Sequence, residues 1–260
     1  MLIAEFLVLF VVFPLGLRFS PWAIPPIPLL WLATLYCYFV LRRDPAFERA
    51  KLWNLHAGLA SVPSIFVLFA VIGLAITLLV RWRSPELLLS FVRMRPGLWA
   101  LVMLLYPVLS VYPQSLVYRA FLLHRYQPLF SHAGSLAPWG LVLLSATAFS
   151  FMHLIFRNPI APAMTFFGGI LFAWRYQQTG SLAISSLEHA LYGCLLFTVG
   201  LGQYFYHGRV RLQSLALWGD ECHFALARRS SRTERCQIFF RLFFAIIGDA
   251  GPPASNPRSP

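Results

Sequence analysis

Residues 59–80 read LASVPSIFVLFAVIGLAITLLV, an uncharged apolar run. A helix needs about 20 such residues to cross a bilayer. Lys51 and Trp53 precede the run and Arg81, Trp82 and Arg83 follow it, which are the flanks expected at a membrane interface. Comparable runs recur at about 2–17, 27–41, 98–118, 139–156, 160–177 and 182–205. The expected fold is therefore all-α: a polytopic transmembrane helical bundle of about seven spans. The short second and sixth runs leave six or eight open. Trp22, Trp99, Trp139 and Trp174 also fall near proposed span ends.

Composition agrees. Hydrophobic residues make up 58% of the chain and charged residues 12%, against about a quarter charged in soluble domains. The net charge of +12 does not point to nucleic acid, because the arginines cluster between the apolar runs and in the tail. Arg42, Arg43, Arg49 and Lys51 form one cluster, and Arg81, Arg83, Arg93 and Arg95 another. Charge so placed faces lipid headgroups and solvent, which makes the lipid bilayer the first expected partner. The first positive charge, Arg18, follows the first apolar run, whereas a cleavable signal peptide carries its charge in front. The first run is expected to stay as an anchor in an integral, multi-pass protein. Loop charge does not decide topology, since two successive loops are equally basic, although the basic tail favours a cytoplasmic C-terminus. Cys37, Cys194, Cys222 and Cys236 lack CxxC spacing, so neither a zinc finger nor a disulfide framework is supported.

The expected organisation has three parts. Residues 1–97 carry the N-terminal spans and two basic loops, with Ser84 to Val92 as a candidate interfacial helix. Residues 98–207 form a membrane core. Residues 208–260 make a basic, partly disordered tail whose apolar stretch, Ile238 to Ile247, is too short to span.

Three polar groups interrupt the apolar core: PQSLVYR at 113–119, FSFMH at 149–153 and LEHALYG at 187–193. Ionisable groups are expensive inside a bilayer, so they face a protein interior, a partner or a water-filled cavity. Helical spacing puts Gln114 with Tyr118, Ser115 with Arg119, Phe149 with His153 and Ser185 with His189 on shared faces. Pro107 and Pro113 favour kinks in the first of these helices, tolerable where neighbours satisfy the freed carbonyls. At ~1.5 Å per residue, Gln114, His189 and His153 lie roughly 6, 10 and 21 Å from one membrane face. That spread narrows if the first helix continues to Leu123. The plain alternative for each histidine is a bond to a neighbouring backbone carbonyl. For Arg119 it is snorkelling to the interface. His124, Arg125, His132 and His207 read as interfacial.

In this order, on separate helices, the groups resemble the signature of the CPBP family. That family comprises the membrane-embedded CAAX prenyl endopeptidases and bacteriocin-processing enzymes, also called Abi. Its motifs run Glu-Glu-x-x-x-Arg, Phe-x-x-x-His and His-x-x-x-Asn/Asp. The corresponding positions are Gln114-Ser115-x-x-x-Arg119, Phe149-x-x-x-His153 and His189-x-x-x-Gly193. The resemblance covers about 98–207 and implies activation of water, by glutamate and histidines, for attack on a peptide bond. It leaves metal use open, a divalent ion such as zinc being one option. A bacterial cell membrane is the expected location.

The departures matter chemically. Both glutamates are replaced, by Gln114 and Ser115, and the last motif ends in Gly193. Water needs a base or a metal to become a nucleophile at neutral pH, and Gln114 can orient water but cannot take its proton. His153 or His189 can, with an unperturbed imidazole pKa of about 6.5. Glu188, the only carboxylate between 98 and 207, is open to three roles: substitute base, partner of a histidine, or ion-pair partner of Arg119. Its direction on the helix, about 100° from His189, does not favour the first. The leading expectation is an intramembrane endopeptidase acting on a membrane-proximal peptide or protein. In it His153 and His189 activate water or bind metal, Arg119 positions a group or stabilises charge, Glu188 is a substitute acid/base, and Gln114 and Ser115 complete the site. The alternative is a scaffold whose catalysis has lapsed, serving as a membrane binding or immunity-type protein. A transporter would also place polar groups at mid-membrane, but no inverted repeat supports one.

Overall fold

A computed structural model describes residues 1–20 and 25–205. The tail expected at 208–260, with Ile238 to Ile247, lies outside the described residues. Among the described residues seven long helical rods follow one another: α1 Leu2–Phe19, α2 Pro26–Arg43, α3 Gly58–Arg83, α4 Pro96–Arg125, α5 Gly134–Phe156, α6 Ile160–Thr179 and α7 Leu182–Thr198. No strand occurs among the described residues. Four rods, α1, α3, α4 and α5, are long and apolar enough to cross a membrane, and α7 is a shorter apolar helix. The protein is an integral membrane helical bundle, as the runs of apolar sequence predict.

Apolar side chains cover the outside. Leu7, Val12, Val67, Val71, Leu74 and Leu78 of α1 and α3 are exposed in the isolated bundle, as lipid-facing side chains are. The interior is built mainly by α4, α5 and α6, where Phe121, Val142, Phe149 and Ala173 are buried together. Small residues let α5 and α6 approach closely: a Cβ added to Gly169 would lie 2.9 Å from the Ala146 Cα. Close backbone approach of this kind is the usual way membrane helices gain packing contact.

Two boundaries differ from the sequence reading. Helix α4 does not stop at Tyr118 but runs on to Arg125, so Arg119 lies roughly 9 Å inside its end and Gln114 roughly 16 Å. The last apolar run, read to 205, breaks after Thr198. Gly200 takes a positive φ of 92° and a short 3-10 turn follows at Leu201–Phe205. The stretch expected as an interfacial helix is two short turns, Pro85–Leu87 and Ser90–Met94, separated by Leu89 in the left-handed region.

Helix α4 contains two π-helical turns, Pro107–Val111 and Leu116–Phe121. Pro113 has no N–H, which frees the carbonyl four residues earlier. That carbonyl belongs to Leu109, and the Trp31 indole N–H of α2 donates to it at 3.1 Å. Thr34 donates to the Pro113 carbonyl at 3.4 Å, and Ser145 of α5 donates to the Tyr118 carbonyl at 2.6 Å. Neighbouring helices thus satisfy the irregular backbone, as a bilayer requires. The second π turn holds Arg119, and π turns inside helices often mark functional positions.

The α6–α7 hairpin fixes the remaining half of the site. Gly180 ends α6 in the left-handed conformation, φ 58°, which glycine adopts without strain. Ser181 then caps α7, its hydroxyl accepting the Ile184 N–H at 3.3 Å. This tight turn sets the two helices antiparallel, and the Ser185 hydroxyl pins the register by donating to the Phe172 carbonyl at 2.7 Å.

Candidate active site

Phe149 on α5 organises the polar groups. The His153 ring stands one turn further on, edge-on to Phe149 at 4.6 Å between centroids. The His189 ring on α7 approaches Phe149 edge-on at 5.4 Å. The guanidinium carbon of Arg119 on α4 sits 4.2 Å from the centroid of the same ring. Three of the residues singled out by sequence therefore meet around one phenylalanine. Phe172 of α6 completes the enclosure: it stacks on His189 at 4.6 Å and 21°, and its ring centroid lies 5.3 Å from the Arg119 carbon.

The two imidazoles differ in what holds them. His153 Nδ1 lies 2.7 Å from the Phe149 carbonyl oxygen. A carbonyl can only accept, so this contact fixes Nδ1 as the protonated nitrogen and leaves the Nε2 lone pair as an acceptor. The carbonyl bond weighed as a plain structural role is therefore made. His189 Nδ1 is buried and has no hydrogen-bond partner among the described residues.

Arg119 does not snorkel. It is 0% exposed, and none of its three side-chain nitrogens finds an acceptor among the described residues. Ser115, on the same face of α4, is likewise 0% exposed with an unpartnered hydroxyl. Gln114 is different: half-buried, it donates its amide to the Ser110 hydroxyl of its own helix at 2.8 Å. Of the two positions where the resembling motif has glutamates, 115 is the more deeply buried.

Glu188 is fully buried and gripped at both oxygens by Arg175 of α6. Nε donates to one at 2.9 Å and Nη2 to the other at 3.1 Å. Its ion-pair partner is thus Arg175, not Arg119. A carboxylate bonded to both prongs of a guanidinium has an oxygen lone pair committed at each prong, so Glu188 is taken up by α6 and does not face the two histidines as a free base. Sequence reading did not single out Arg175, Phe172 or Tyr106. Arg175 had a signal, since it is a charge in the α6 run, 13 residues before the only carboxylate of the core.

Gly193, where the last motif departs from Asn or Asp, has a packing partner. A Cβ there would collide with the ring and hydroxyl of Tyr106 on α4, whose ring also contacts Phe197 edge-on at 5.2 Å. The space beside α7, one turn from His189, is filled by tyrosine.

A resident divalent metal does not fit these residues. Among the described residues no three His, Cys, Asp or Glu come together to hold one. Two imidazoles and a guanidinium, with the single carboxylate bonded to Arg175, make a donor set short of the three or four ligands that zinc takes.

The fold and this buried imidazole–guanidinium centre define an integral membrane protein with a polar site enclosed by helices. Residues 96–195, spanning α4 to most of α7, match the family of type II CAAX prenyl endopeptidases, Rce1-like. The match agrees with the resemblance to the CAAX protease (CPBP) family that the three motifs carry. No curated protein and no solved structure matches the chain.

Proposed function

We propose that the protein is an intramembrane endopeptidase that hydrolyses a peptide bond of a membrane-proximal protein or peptide, with imidazole serving as the base. The observation that carries this reading is the orientation of His153. Its Nδ1–H is committed to the Phe149 carbonyl, so a neutral ring offers Nε2 to a water. Arg119, against the same phenylalanine, supplies fixed positive charge beside it.

The step balances without a metal. As the water oxygen bonds to the substrate carbonyl carbon, one water proton passes to His153 Nε2. Negative charge collects on the carbonyl oxygen and is stabilised by the Arg119 guanidinium in a dry, low-dielectric site. Collapse of the intermediate breaks the C–N bond, and the imidazolium returns its proton to the leaving amine. His189, stacked on Phe172, is placed to orient the water or share the proton. Ser115 and Gln114 contribute hydrogen bonding only, and Glu188 holds α6 to α7.

One observation favours a second reading, a binding scaffold without turnover: no carboxylate at the centre is free to act as a base, since Glu188 is bonded to Arg175. Proteolysis in proteoliposomes separates the two. The intact protein cleaves a membrane-anchored peptide library under the first reading and leaves it whole under the second.

A further inference from the structure

The groups left unpartnered at the centre share one chemical character. Arg119 presents Nε, Nη1 and Nη2, all buried and none donating to the protein among the described residues. Ser115 presents a buried hydroxyl one turn away on the same face of α4, and His189 presents a buried Nδ1. A guanidinium can only donate. Its attraction to Phe149 and Phe172 supplies no hydrogen-bond acceptor and leaves its N–H groups unpartnered among the described residues. An isolated cation in an apolar interior is strongly disfavoured, and aromatic faces offset only part of that.

This donor-rich set calls for a ligand that only accepts and carries one negative charge. An ionised carboxylate does both. Its two oxygens match the two-pronged guanidinium edge and leave acceptor sites for the Ser115 hydroxyl and for His189 Nδ1 carrying its proton. The protein's own carboxylate in this core is unavailable, because Arg175 holds both its oxygens. We propose that Arg119, Ser115 and His189 form a binding site for a small monocarboxylate, for which formate and acetate are the probes. The site does not depend on hydrolysis: it binds whether or not the protein cuts a peptide, and its failure leaves the proteolytic reading standing.

The test uses the full chain purified in detergent, its unfolding temperature followed by tryptophan fluorescence. Sodium formate and sodium acetate are titrated against sodium chloride at matched ionic strength and pH 7. A ligand that binds only the folded state raises the transition with its concentration, so formate and acetate give a rise of several degrees that chloride does not. Two variants locate the effect. Arg119→Gln loses the response. Ser115→Glu brings an internal carboxylate next to Arg119, unfolds at a higher temperature without additive, and no longer responds. Should Arg119→Gln fail to accumulate, line broadening of carbon-13 formate by wild type and by Ser115→Glu decides, with broadening expected for wild type alone. Equal effects of formate and chloride on the wild type overturn the proposal. So does a formate response retained in either variant, or equal broadening by wild type and Ser115→Glu.

Discussion

The Arg119 guanidinium lies 4.2 Å from the centre of the Phe149 ring, and Phe149 in turn fixes His153 through its own carbonyl oxygen. One residue of α5 therefore places both the guanidinium and the imidazole. Phe149→Leu keeps apolar volume but removes the aromatic face. It is expected to cost about 1 kcal/mol from the lost cation–π attraction, and to lower any peptidase turnover more than stability alone explains. Unfolding in detergent and a cleavage assay on the same preparation check the two parts.

The Arg175–Glu188 pair is read as a structural lock. Glu188→Gln leaves the Arg175 cation without its counterion and is expected to cost about 3–5 kcal/mol, as for a broken buried pair. The double variant Arg175→Met, Glu188→Leu recovers most of that loss. If Glu188→Gln folds as stably as wild type but abolishes cleavage, Glu188 belongs to the chemistry and not to the lock.

Trp31 is expected to matter because Pro113 does. Trp31→Phe removes the donor to the Leu109 carbonyl at a cost of about 0.5–1.5 kcal/mol. In a Pro113→Ala background that carbonyl regains a donor within α4, so the cost of Trp31→Phe shrinks. A double-mutant cycle measures the coupling, and strict additivity rejects it.

Gly193→Asn restores the residue type of the resembling motif yet is expected to harm this protein. The new side chain meets the Tyr106 ring and hydroxyl, and overpacking of this kind costs about 1–3 kcal/mol. Adding Tyr106→Ala relieves it. Unfolding temperatures of the three variants provide the check, and a Gly193→Asn protein as stable as wild type contradicts it.

Outside the spans, Asp44 bonds the His124 ring at 2.9 Å and accepts the Ala46 N–H at 2.9 Å. These contacts, His124 first, hold its carboxyl below the usual carboxylate range. A carboxyl lowered in the folded state stabilises above its unfolded value, and that contribution is lost as pH falls through its folded one. The acid side of the stability profile should therefore flatten in Asp44→Asn, by a small amount because the group is exposed to solvent. An unchanged profile speaks against the pair.

Much of this was legible in the sequence, for physical reasons. Apolar runs such as 59–80 have few alternatives to a spanning helix, and isolated charges within them must face inward, so Arg119, His153 and His189 could be singled out before their meeting was seen. The extent of α4 was not legible. Arg119 looked like a span end because a charge usually is one, whereas its burial against Phe149 and Phe172 lets the helix continue to Arg125. The partner of Glu188 was missed for a related reason. Arg175 lies 13 residues before Glu188, and only the Gly180–Ser181 turn, which folds α7 back along α6, brings the pair together. The role of Tyr106 at Gly193 has no sequence signal, because it depends on how closely α4 and α7 approach.

The central claim, that the His153 imidazole activates water for peptide hydrolysis, is tested most directly by cleavage of a membrane-anchored peptide library in proteoliposomes. Wild type is compared with His153→Ala, His189→Ala and the double variant, each confirmed as inserted. The account predicts cleavage by wild type and a loss of at least about a hundredfold in His153→Ala, the low end for removing an acid–base catalyst, with none detectable in the double variant. Turnover persisting in the double variant, or no cleavage by well-folded wild type, contradicts it.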